Sequence, residues 1–182
     1  MPDDGRQALE AQVQAFQSQA DQLPADAKQE DRFQVYYKLA EAKYLLGRYG
    51  EALKVLDSVA AANPNNASMH GLYASIYKDM GDIKRAKESA KRAVDLDAVS
   101  PQAWVFYIGL QKDAGQDALK SLYQEALDKT ANNIGIITAY AQYLEKIGDK
   151  EGAIAQWQKA GEVFPQGKST YEGEIARLQQ AK

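Results

Sequence analysis

The chain has 182 residues, 45% of them hydrophobic, a formal net charge of −3, one histidine and no cysteine; this fits one ordinary domain of about 100–200 residues. The missing cysteines exclude a disulfide framework, a thiolate metal site and a cysteine nucleophile, and the lone histidine removes most zinc constellations. Interspersed lysines and glutamates give no basic footprint for nucleic acid, and no apolar run approaches the roughly 18 residues of a membrane span.

The opening Met1-Pro2-Asp3-Asp4-Gly5 is acidic where a secretory leader would be basic. Residues 6–23 then place Leu9, Val13, Phe16, Ala20 and Leu23 at alternating spacings of four and three, a narrow apolar stripe among glutamines. Two heptads are too few for a free coiled coil, so the stripe predicts a helix docked on the first repeat, with a homodimer seam as the alternative. Pro24 ends this helix, and Asp26 is a candidate cap for a second one running to about Leu45.

From residue 33 the chain repeats. Gly47, Gly81, Gly115 and Gly148 are spaced 34, 34 and 33 residues apart, and each precedes a new amphipathic run. Aligning on them stacks Leu39, Tyr73, Tyr107 and Tyr140, then Ala40, Ala74, Ile108 and Ala141. Further on it stacks Ala52, Ala86 and Ala153, then Val59, Ala93, Ala126 and Ala160. Apolar residues recur at three and four, so each unit reads as two helices of about 14 residues. The glycines suit the left-handed residue that closes a first helix, and Asp82 and Asp149 suit the cap of the second. Pro64 and Pro165 fall where second helices must stop, while Ser100-Pro101 supplies a cap and a first-turn proline. The units are 33–66, 67–100, 101–133 and 134–167, the third one residue short. That residue is missing between Gly115 and Ala126, so Ala118 or Leu119 takes the alanine slot and a rotated or shortened second helix is expected there. In the final segment, 168–182, Ser169-x-x-Glu172 has capping-box spacing and Tyr171, Ile175 and Leu178 form one stripe, which predicts a terminal capping helix.

This pattern resembles the tetratricopeptide repeat, a 34-residue helix-turn-helix with a large residue at position 4, small ones at 8, 20 and 27, glycine near 15 and proline at 32. Position 4 holds Tyr36, His70, Trp104 and Ile137; position 24 holds Leu56, Ala90 and Trp157; position 32 holds Pro64, Ala98 and Pro165. The resemblance covers residues 33–167 and implies an all-α, right-handed superhelical solenoid: four repeats in a single repeat domain over 1–182, flanked by an N-terminal helix with its lead-in (6–32) and the capping helix.

The family's function implies a non-enzymatic scaffold that binds a helical or extended segment of a protein partner in a concave groove lined by the leading helices. Groove positions place Tyr37, Glu41 and Tyr44, then Gly71, Ser75 and Lys78, then Val105, Gly109 and Lys112, then Thr138 and Gln142 on that surface. Positions that hold a peptide's terminal carboxylate in some members carry Tyr37, Glu41, Leu72, Gln102 and Phe106 here, which argues against that mode. The alternative function is self-assembly through the N-terminal stripe or the convex face, where Lys84, Arg85, Lys87, Lys91 and Arg92 crowd one helix. Gly71 and Gly109 interrupt leading helices, so either close helix approach or an open groove must offset their cost.

No phosphate loop or convergent titratable cluster is visible, so no enzyme, cofactor or metal is expected. His70 sits in a packing slot, Asp3/Asp4, Glu30/Asp31 and Asp95/Asp97 sit at termini or helix ends, and Asn66-Ala67-Ser68 reads as an inter-repeat turn rather than a glycosylation acceptor. The compartment stays open between the cytoplasm, as the default, and an exported or periplasmic module of a longer protein.

Overall fold

Small residues set the helix spacing throughout. Ala40, Ala52, Ala74 and Ala86 in the first half, and Ala126, Ala141, Ala153 and Ala160 in the second, have no exposed surface; helices that cross at about 8–10 Å need small side chains at the contact. The computed structural model describes residues 3–180, with side chains from Asp4 onward. The Met1-Pro2 start, the Asp3 side chain and the last two positions of the 168–182 segment lie outside the described residues.

All elements among the described residues are helical. They are α1 (Asp3–Asp21), α2 (Gln29–Leu45), α3 (Tyr49–Ala60), α4 (Ala67–Asp79), α5 (Ile83–Leu96), α6 (Pro101–Gly109), α7 (Gln116–Lys129), α8 (Ile134–Lys146), α9 (Lys150–Val163) and α10 (Lys168–Gln180), with a 3₁₀ turn at Pro165–Gly167. The contacts divide into two compact units, one up to Leu96 and one from Asp97 onward.

In the first unit, α1 packs on α2, α2 on α3 and α4, and α4 on α5. Val13 and Ala20 of the N-terminal stripe are buried with Leu39 and Ala42, and Phe16 packs against them. The stripe is thus docked within the unit, and a homodimer seam along it would require α1 to lift off α2. A second cluster joins Phe33, Leu56, Met69, Leu72 and Ile76 across α2, α3 and α4. Gly47 (φ 74°) and Gly81 (φ 83°) take the left-handed conformation, and the following N–H reaches back over the helix end, Arg48 to Lys43 O at 2.9 Å and Asp82 to Tyr77 O at 2.9 Å. Asp82 caps α5 through the Arg85 N–H at 3.0 Å. Asp26, by contrast, caps nothing. The Ala27 N–H bonds to Pro24 O at 3.0 Å and the Arg32 guanidinium donates to the carbonyls of Pro24 and Ala25, so this residue is held in a turn and α2 starts three residues later, at Gln29.

In the second unit, α8 packs on α9 and α9 on α10, while α6 touches α7 and α8 over shorter stretches. Ser100 caps α6 through the Ala103 N–H, with Pro101 in its first turn. Gly148 (φ 80°) closes α8 as expected and Asp149 caps α9. Two expectations fail here. Gly115 is not a left-handed closer: its backbone is extended (φ −64°, ψ 157°) and it stands at the N-cap of α7. The missing residue is the one that elsewhere separates the glycine from the second helix, so Gly115 slides into the cap position. The deficit does not shorten the second helix, because α7 has 14 residues; α6 is the short one, with 9 residues against 13 in α4 and in α8. Leu119, half-buried, takes the alanine slot, and Ala118 is exposed. At the C-terminus Ser169 does not cap α10, because the 3₁₀ turn at Pro165–Gly167 leads directly into a helix that already includes it. The expected stripe does dock, with Leu178 buried and Tyr171 stacked on Trp157 at 5.8 Å.

Candidate functional site

Each unit sets two leading helices beside one another, α2 with α4 and α6 with α8. On α2, Tyr37 is half-buried against Phe33 at 5.6 Å between ring centroids, and burial, followed by the Glu41 charge, pushes its hydroxyl above the ordinary tyrosine range. Glu41 is exposed. Tyr44 donates its hydroxyl to Asp79 Oδ2 at 2.8 Å, tying the end of α2 to the end of α4; burial first and the Asp79 hydrogen bond second raise its pKa to about 12. Lys78 Nζ lies 3.4 Å from Asp79 Oδ1, so Tyr44 and Lys78 meet on one carboxylate.

Between these aromatic and charged ends α4 is smooth. A β-carbon at Gly71 would meet nothing within 4 Å, and Ser75 folds its hydroxyl back onto Gly71 O at 3.0 Å. The same holds in the second unit, where a β-carbon on Gly109 also meets open space. Close helix approach is therefore not the reason for either glycine. Val105 is 44% exposed and Gln142 is exposed, while Thr138 turns its hydroxyl onto Gly135 O at 3.2 Å. Lys112 departs from expectation: α6 ends at Gly109, so this lysine stands in the following turn and not on a leading helix.

Glu145, a groove position by repeat phase, is engaged within the fold. Trp157 Nε1 donates to its Oε1 at 2.7 Å and the Arg177 guanidinium to its Oε2, joining α8, α9 and α10. Burial alone would raise this carboxyl, but the Arg177 and Trp157 hydrogen bonds outweigh it and hold the pKa below the usual glutamate range. The Tyr44–Asp79 bridge was not anticipated, although positions 12 and 13 of successive repeats give a signal for it.

Several basic residues of α5 are engaged within the fold. Arg85 pairs with Asp82 and lies 4.5 Å over the Tyr77 ring, Lys91 pairs with Asp95, and Arg92 donates to Asn65 at 2.9 Å. His70 is half-buried, with Nε2 3.1 Å from Pro64 O. Asn66 accepts the Met69 N–H as the cap of α4. Among the described residues no three His, Asp or Glu side chains converge as a metal site, and no helix is long and apolar enough to cross a membrane.

Two family models described as tetratricopeptide repeat match the chain, over residues 2–76 and 67–99, and the chain belongs to the tetratricopeptide-repeat family. Among solved structures, a thermophilic TPR protein from Thermus thermophilus is 19% identical with a TM-score of 0.60, covering 95% of this chain and 91% of that one. A MamA structure is 16% identical with a TM-score of 0.66, covering 96% and 94%. A tetratricopeptide repeat protein from Parabacteroides merdae is 15% identical with a TM-score of 0.64, covering 94% and 70%. At these identities the likeness is one of fold, the all-α helical-repeat solenoid class. Comparison with curated proteins gave no match. Proteins of this family are generally interaction scaffolds rather than catalysts.

Proposed function

We propose that the outward faces of the leading helices bind helical or extended segments of a protein partner, α2 with α4 in the first unit and α6 with α8 in the second, each unit taken by itself. The observation that carries this reading is the open space over Gly71 and Gly109. Gly71 lies inside α4, where a glycine costs about 1 kcal/mol relative to alanine, and no packing contact offsets that cost. Gly109 is the last residue of α6 and not inside it as the repeat phase implied, so it contributes open space without that cost. A ligand backbone that needs room where a β-carbon would project supplies the missing reason. Tyr37, Glu41, Tyr44, Ser75 and Lys78 then flank the smooth stretch in the first unit, and Val105, Thr138 and Gln142 in the second. Lys112, in its turn, reaches the segment from the rim. Apolar anchors on the partner would seat against Tyr37 and Val105, with polar groups at the edges fixing register.

The test is a double variant, Ser75→Arg with Gly109→Arg. Gly109 has open space around it and Ser75 is only half-buried, with its hydroxyl turned back onto its own helix, so the melting temperature should stay near the wild-type value. Affinity capture from native lysate, compared between wild type and variant by mass spectrometry, should lose the proteins that use this surface. A stable double variant that retains every captured protein at wild-type yield would remove the surface from consideration.

A further inference from the structure

At one edge of the first unit a cleft of about 380 Å³ opens between α1, the end of α2 and the start of α3, lined by Arg6, Tyr44, Leu45, Tyr49 and Asp79. This volume lies at the low end of ligand clefts, which run from about 300 to 1,000 Å³, so it suits one or two side chains and not a whole helix. Its walls mix polar and apolar groups, and the apolar part is formed by Leu45, 50% exposed, and the Tyr44 and Tyr49 rings, 6.0 Å apart. Nearby charges are matched with one exception. Arg48 Nη2 sits 2.7 Å from Glu10, and Asp79 receives Tyr44 and faces Lys78. Arg6 is exposed and has no hydrogen-bond or ion-pair partner among the described residues. With Asp79 already engaged by Tyr44 and Lys78, an occupant that complements the cleft would bring a further acidic group for Arg6 next to a large apolar side chain.

The second unit carries such a group. At the end of α9, Glu162-Val163-Phe164 projects an exposed carboxylate without a partner among the described residues, followed by Val163 at 46% and Phe164 at 43% exposure. Solvent-facing valine and phenylalanine beside an unpaired acid match what the cleft lacks, in both charge and apolar content. We propose that the Glu162–Phe164 edge of one copy docks in the Arg6 cleft of a second copy, Phe164 seating against Leu45 and the tyrosine rings while Glu162 pairs with Arg6. The two surfaces differ, so the contact is head-to-tail and each added copy leaves a new free cleft and a new free edge. The cleft shares Tyr44 with the groove reading, but neither Gly71 nor Gly109 takes part, so substitutions at Arg6 and Glu162 test it separately from those at Ser75 and Gly109.

One cleft is a small interface, so association should be weak and read at high concentration. Sedimentation velocity of the full chain from roughly 10 μM to 1 mM should show a mass that rises with concentration, and the rise should diminish in about 0.5 M salt. Arg6→Glu and Glu162→Arg should each abolish the rise while leaving the melting temperature unchanged, and the double variant, with the charges exchanged, should restore it. A chain that stays monomeric over the whole range would overturn the proposal and return the cleft to a segment of another protein. Association that survives Arg6→Glu, or a double variant that does not recover, would overturn it equally. The salt dependence of the unmodified protein supplies a reading that needs no substitution.

Discussion

The α4/α5 and α6/α7 pairs come from the same repeat pattern and pack differently. In the first, Gly81 closes α4 in the left-handed conformation, Asp82 caps α5, and Ala86 and Ala90 bring the two helices together along their length. In the second, one missing residue moves Gly115 into the cap position, α6 stops at 9 residues, and Leu119 stands where an alanine belongs. The two helices touch over a shorter stretch, and aromatic contacts carry α7 instead: Tyr123 stacks on Tyr140 at 4.9 Å and on Tyr143 at 5.3 Å. A small residue at a crossing thus decides whether two helices hold each other directly or through the next helix along.

The largest expected effect falls on the weaker pair. Trp104, 2% exposed, anchors α6 and donates Nε1 to Ala98 O at 2.8 Å. Trp104→Ala should cost about 3–5 kcal/mol in chemical denaturation. Because repeat proteins transmit stability through neighbouring contacts, amide exchange should rise first in α6 and α7. A loss confined to the remaining helices would show that the short pair is not the weak point.

The repeat period, the glycine closers and the Ser100 and Asp149 caps were legible because they depend on local backbone chemistry, which the residue type states outright. The fate of the third repeat was half legible: the one-residue deficit is visible in the spacing of Gly115 and Gly148, but spacing alone does not decide whether Gly115 closes α6 or caps α7. Asp26 misled because the Arg32 bonds that hold its turn come from eight residues downstream of Pro24. In the candidate site, the groove positions follow from repeat phase, yet the capture of Glu145 by Trp157 and Arg177 depends on α10, which lies outside the repeat. Which glycine is crowded and which is open cannot be read from spacing at all.

The next effect sets the ends of the second unit against its short pair. Glu145 holds α8, α9 and α10 together, and its folded pKa is depressed by the Arg177 and Trp157 hydrogen bonds. A depressed carboxylate contributes stability that is full above its unfolded value of about 4.3 and is lost as the pH falls through the lower folded value. Asp149, held down by Lys120 and then by the Gly152 N–H, adds in the same direction and links α9 to α7. Melting temperature should therefore drop below about pH 4.3, and Glu145→Gln should lower it at neutral pH while flattening that drop. An unchanged acid profile in the variant would assign the drop to other carboxylates.

A smaller pair of substitutions exchanges the closing chemistry of the two regions. Gly81→Ala places a β-carbon at φ 83° and should cost about 1–2 kcal/mol. At the end of α7 the left-handed residues are Ala131 (φ 51°) and Asn132 (φ 58°), neither of them glycine. Ala131→Gly removes the β-carbon from that conformation and should gain up to about 1 kcal/mol. Equal and opposite shifts in denaturation midpoint would show that both junctions are closed by backbone conformation alone.

The smallest effect tests the open surface. At Gly71 the helix bears the entropic cost of glycine while an added methyl group would contact nothing, and the φ is an ordinary helical one because only Gly47, Gly81 and Gly148 are positive among the described glycines. Gly71→Ala should therefore raise stability by about 0.4–1 kcal/mol, mostly by restricting the unfolded chain. The contrast with Gly81 is the useful part: the same substitution in the same helix hairpin should change sign, because one glycine is required by its backbone angle and the other is not. A Gly71→Ala variant less stable than wild type would mean that the space is closed in solution, and the groove reading would lose the observation on which it rests. A more stable variant that also captures less partner would instead show that the helix gives up stability at this position to keep room for a ligand.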